Sequence, residues 1–82
     1  MAFTTEEIQD ILFKAVGKAI KKDPSELKLE DRWIEDLNFK SVQGMKVCGL
    51  LNYNFKITVP LTALIECATL QDAVTMLEGM VN

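Results

Sequence analysis

The sequence predicts an all-α fold, a small four-helix bundle with three main helices, a short third helix and a long loop between helices 1 and 2. Three observations lead there. Thr4 and Glu7 form a capping-box pair directly before an apolar run of helical period. Ser41 opens a second such run, and Thr69 a third.

The first helix follows from Ile8, Ile11, Leu12, Ala15, Val16, Ala19 and Ile20, which recur at the spacing of one helical face. Lys18, Lys21 and Lys22 suit the negative end of its dipole. Asp23 and Pro24 end it after about 17 residues, because proline disfavours helix at the residue before it.

From residue 25 to residue 38 the periodicity lapses. Leu27, Leu29, Trp33, Ile34 and Leu37 stand in a charged background, as expected of a long structured loop with a short helical turn and apolar anchors. Trp33 reads as a core plug rather than an interaction residue. Glu30, Asp31, Glu35 and Asp36 lack the alternating spacing and central glycine of a calcium loop, so no metal site is expected.

The second helix is expected from Ser41 to about residue 52 or 54. It carries two apolar stripes: Val47, Cys48, Leu51 and Phe55 form one, and Val42 and Met45 the other, beside Gly49. A helix on the outside of a small bundle needs only one buried face. The second stripe is therefore covered by a loop or open to a partner. Gly44 and Gly49 do not form a phosphate-binding loop, since no Lys-Ser/Thr follows the second glycine. They mark close packing or space left beside the helix. Residues 55–59 alternate like a strand but stop at Pro60, so an extended connector is expected. A short helix over 61–67 and a last one after Thr69, with Ala73, Val74, Met76, Leu77 and Met80 on its apolar face, complete the bundle.

Eighty-two residues suffice for one small domain over 1–82, with a thin core. No run of about 18 apolar residues occurs, so no membrane span is expected, and the acidic start does not resemble a signal peptide. Two cysteines, Cys48 and Cys67, are too few for a disulfide framework and lack zinc spacing, which points to reduced thiols and a cytoplasmic chain. Histidine is absent, which removes the commonest general base and metal ligand. The chain is thus expected to be no enzyme, but to offer a handle to enzymes. The net charge of −3 is uneven: residues 1–36 carry −3, residues 37–65 carry +3 through Lys40, Lys46 and Lys56 with no acid, and residues 66–82 carry −3. Three lysines over that middle span are too sparse for nucleic acid. Ser41, between Lys40 and Val42, reads as an N-cap, and a helix start equally suits a phosphate attached there.

The order of these features, with Asp36, Leu37, Asn38, Phe39, Lys40, Ser41 and Val42 before the second helix and Phe55, Ile57, Val59 and Pro60 after it, resembles the acyl carrier protein family over nearly the whole chain. That family carries a loop of the form Asp-Leu-Gly-x-Asp-Ser-Leu. A phosphopantetheinyl transferase attaches 4′-phosphopantetheine to its serine, and the arm's thiol holds acyl groups as thioesters. The resemblance implies that Ser41 is the attachment site of covalent 4′-phosphopantetheine. It also implies that acyl-transferring or acyl-modifying enzymes are the partners. Lys40, Val42, Met45 and Lys46 would be the partner-binding surface of a freestanding, monomeric carrier. Asn38, Lys40 and Val42 depart from the family's glycine, aspartate and leucine, and the second helix lacks the usual acids. The resemblance therefore implies a specialised fatty-acid, polyketide or surface-lipid carrier. The alternatives are a peptidyl or aminoacyl carrier and a carrier-fold interaction module without the arm.

Overall fold

The computed structural model describes residues 3–81. Helix α1 spans Thr5–Ile20, α2 Ser41–Phe55, α3 Leu61–Ile65 and α4 Leu70–Val81, with a 3₁₀ turn at Pro24–Glu26. No strand forms among the described residues; a lone antiparallel bridge joins Arg32 to Thr69.

Helix α1 starts as its sequence dictates. The Thr4 hydroxyl accepts from Glu7 N at 3.1 Å, and the Glu7 carboxylate accepts from Thr4 N at 2.8 Å. Its end comes earlier than Asp23 and Pro24 would place it. Lys21 adopts a left-handed conformation (φ 59°), and Lys22 N donates to Gly17 O at 2.9 Å. Gly17 makes that reversal possible, because a Cβ there would lie 2.6 Å from Lys22 O. Helix α2 runs one turn further than the shortest expectation, to Phe55, and also closes on a left-handed lysine, Lys56. Residues 56–60 form the expected connector, held where Val59 N donates to Asn52 Oδ1 at 2.7 Å. Helix α3 is shorter than the expected span and stops at Ile65.

Ile8, Leu12 and Val16 of α1 meet Val47 and Leu51 of α2 and Leu70, Val74 and Leu77 of α4 in one hydrophobic cluster, and all are fully buried. Leu64 brings α3 against α2. Burying such side chains supplies most of the stabilisation available to so short a chain, at about 1.5–3 kcal/mol each.

The segment between α1 and α2 docks on the start of α4. Leu29 O accepts from Gln71 N (2.9 Å), Asp31 O from Leu70 N (3.0 Å) and Ala68 O from Trp33 N (3.2 Å). The first two satisfy donors that α4 would otherwise leave open, and the third satisfies the loop's own Trp33 N–H. Thr69 and Asp72 complete the cap: Asp72 N donates to the Thr69 hydroxyl, while the Asp72 carboxylate accepts from Ala68 N and Thr69 N. Trp33 is the core plug that the sequence suggested. It is 4% exposed, and its indole N–H donates to Thr69 O at 3.0 Å.

A Gly17→Ala variant tests the turn after α1. Alanine favours helix interiors over glycine by about 0.8–1 kcal/mol. The clash with Lys22 O nonetheless predicts a net loss of stability on the order of 1–3 kcal/mol, read as a lower urea midpoint.

Candidate functional site

Ser41 is the first residue of α2 and is exposed. The cap residue is Lys40, one position earlier than the sequence suggested, with extended backbone (φ −118°, ψ 162°). The expectation that Ser41 caps the helix is thereby corrected. Its hydroxyl makes no capping bond, and an N1 side chain is not placed to accept from the first-turn amides as an N-cap side chain is. Lys40 cannot cap either, since an ammonium has no acceptor. The turn is closed from the other side, where Lys40 N donates to Gln43 Oε1 at 2.8 Å, and Gly44 N donates to Lys40 O at 2.9 Å. Ser41, Val42 and Gln43 carry the N–H groups that a helix start leaves without intrahelical acceptors.

The approach to Ser41 is rigidly built. Asn38 takes a left-handed conformation (φ 51°), which asparagine tolerates better than most residues. This accounts for asparagine where the resembled family has glycine. Phe39 N then donates to Trp33 O at 2.9 Å, and the two rings meet edge to face with centroids 4.6 Å apart. Upstream, the Asp36 carboxylate accepts from Arg32 N at 2.8 Å and from Arg32 Nε at 3.3 Å. The Arg32 backbone N–H, then its side chain, hold the Asp36 carboxyl below the usual carboxylate range. The Arg32 guanidinium is further engaged by Glu35 at 2.6 Å.

Ser41 opens onto a cleft of about 470 Å³ between this loop and α3. Trp33, Phe39, Leu64 and Ile65 give it apolar walls, and its charged lining is mixed, Arg32 and Lys40 with Glu35 and Glu66. Gly44 packs against α3, because a Cβ there would meet Leu61 Cδ1 at 2.8 Å and the Leu61 side chain would have to shift. That outcome matches the close-packing reading of Gly44. Gly49, by contrast, faces open space.

The sequence-derived surface residues divide between two places. Lys40 lines the cleft with Ser41. Val42 (78% exposed) and Met45 (63%) lie bare on α2 beside exposed Lys46, so the second apolar stripe is not covered by a loop. Phe39, Leu64 and Ile65 were not singled out by sequence as site residues. The available signal was the run of large apolar side chains flanking Ser41 and following Pro60.

Cys67 also lines the cleft, and burial, then Asp72 and Glu66, push its thiol pKa up. Burial does the same to Cys48. Both cysteines are free, and both therefore stay protonated thiols at neutral pH, with little nucleophilic character. Among the described residues no cluster of histidine, cysteine and carboxylate side chains could hold a metal ion.

Two predictions test this construction. Lys40→Asp gives α2 an N-cap acceptor and is expected to raise stability by about 0.5–2 kcal/mol, measured by urea unfolding. For the Asp36 pair, folding lowers the carboxyl pKa, so its stabilisation is present above the ordinary value of 3.8 and lost as the pH falls through the lower folded value. Wild type should therefore lose stability over that acid window more steeply than Asp36→Asn, seen in thermal unfolding at stepped pH.

No curated protein matches the sequence significantly. A family model described as "Phosphopantetheine attachment site" matches residues 10–77, which includes the loop, the cleft and the whole of α2 and α3. Family members are carriers rather than catalysts, and membership implies covalently attached 4′-phosphopantetheine. With the all-helical bundle and the exposed serine at the head of its second helix, the chain belongs to the phosphopantetheine-attachment carrier family.

Proposed function

We propose that residues 1–82 form a single acyl carrier domain that bears 4′-phosphopantetheine on Ser41 and carries acyl groups for a specialised fatty-acid, polyketide or surface-lipid pathway. The observation that carries this reading is Ser41 itself, an exposed hydroxyl at the first turn of a 15-residue helix and at the mouth of an apolar cleft. When bound, the arm supplies a terminal thiol that holds cargo as a thioester. The chain's own residues fit such a group. The first-turn N–H donors and the helix dipole favour the negative charge of a phosphodiester at Ser41. Lys40 adds an ammonium beside it that makes no ion pair among the described residues. The cleft walls offer apolar surface to whatever extends from Ser41.

Lys40, Val42, Met45 and Lys46 form the partner-binding surface in this reading. The partners are a phosphopantetheinyl transferase and acyl-transferring or acyl-modifying enzymes. The surface is basic and apolar, so enzymes built to receive an acidic helix meet it with like charge, which slows encounter and selects against them. Among the described residues no helix is long and apolar enough to cross a membrane. The two free cysteines suit a reducing compartment, and we place the domain in the cytoplasm as a monomer.

Incubation with coenzyme A and a broad-specificity transferase is expected to add one phosphopantetheine by intact mass. Ser41→Ala should add none. A loaded Ser41→Ala variant, or an unloaded wild type, would overturn the assignment. The intact mass of the protein from its own cell then reads the cargo, and an aminoacyl mass would move the chain to the peptidyl-carrier class.

A further inference from the structure

Away from Ser41, towards the C-terminal ends of α1 and α2, lies a second open groove of about 490 Å³. Its apolar floor includes Ile11 and Ala15 of α1 and Leu50 of α2, with Asn54 beside them. Lys14, Lys18 and Lys22 stand along it, all exposed, and no carboxylate lines it among the described residues. Lys14 reaches Asp10 at 2.9 Å, an exposed pair of the kind that contributes little and exchanges readily. Lys18 and Lys22 make no ion pair among the described residues. Asp23 follows Lys22 in sequence, but its carboxylate is engaged by Ser25 N and Oγ at 2.9 and 2.8 Å.

The third lysine is held there by the fold. The left-handed Lys21 and the bond from Lys22 N to Gly17 O fix the backbone that carries Lys22, which lines the groove with Lys14 and Lys18. Lys14 and Lys18 lie four residues apart, an axial rise of about 6 Å. Acids four residues apart on a second helix repeat at the same rise. Such a helix could lay an apolar side chain on Ile11 and Leu50 while its carboxylates meet the ammonium groups.

We propose that the α1–α2 groove is a docking site for an acidic amphipathic helix of a partner protein, separate from the Ser41 cleft and independent of the Ser41 assignment. A lipid surface fits less well. The groove is concave and follows the line between two helices, a shape that receives a rod-like segment better than a flat headgroup layer.

The test is a titration of the ¹⁵N-labelled full chain with a synthetic amphipathic helix. This peptide bears leucines on one face and glutamates at i, i+4 and i+8 along its edge, and its counterpart carries glutamine at those positions. The expected result is saturable shifts centred on Ile11, Lys14, Lys18, Leu50 and Asn54, weakening with added salt. Affinity should fall at least about tenfold for the glutamine peptide and for K18E/K22E, while Ser41 loading by the transferase is unchanged. K18Q/K22Q carries the comparison should the double reversal unfold the chain. The proposal is overturned by equal binding of the two peptides, by shifts centred on Val42 and Met45 instead, or by no binding at all. Co-sedimentation with phosphatidylserine vesicles that depends on Lys18 and Lys22, without peptide binding, would make the groove a lipid site and equally overturn it.

Discussion

The docking of the 27–39 segment onto the first turn of α4 is the constraint on which the rest of this molecule depends. A long loop carries backbone polar groups that must be satisfied somewhere, and a helix start has donors that need acceptors. Here each need answers the other: Leu29 and Asp31 offer carbonyls to Gln71 and Leu70, and Trp33 takes Ala68 O and Thr69 O for its two N–H groups. Trp33 in turn accepts from Phe39 N, and Phe39 leads through Lys40 into α2. A chain of hydrogen bonds thus runs from the start of α4 to Phe39, two residues before the serine, and the exposed hydroxyl inherits its position from a buried indole.

The same arrangement explains how so short a chain builds a cleft at all. Three helices consume most of the apolar side chains in a shared core. The cleft is made instead from the loop, Ser41, the last two residues of α3 and residues 66–68 beyond it. The site is assembled from the least regular parts of the fold, which is where functional side chains usually sit on a rigid scaffold.

Much of this was legible in the sequence. The capping pair of α1, the apolar periodicity of α1 and most of α4, the connector before Pro60 and the buried role of Trp33 all follow from local rules, and the structure agrees with them. Met80, expected on the apolar face of α4, and Ile34, expected as a loop anchor, are instead exposed. What could not be read locally depends on tertiary geometry. The left-handed Lys21 ends α1 early because Gly17 permits a turn that no periodicity announces. The N-cap falls on Lys40, a residue without capping ability, because the loop delivers the chain there already extended. Ser41 looked like the better cap by residue type alone. Cleft walls from Phe39, Leu64 and Ile65 arise only when α3 meets the loop, and the exposure of Val42 and Met45 is decided by the absence of anything folding over them.

Trp33 has one more consequence. It is the sole tryptophan of the chain, and its ring lies at the cleft wall against Phe39. The protein therefore carries its one indole fluorophore, which can be excited apart from Tyr53, at the place where a tethered group would lodge. Its emission, free of overlap from any other indole, becomes a native optical gauge of whether the cleft is empty or filled.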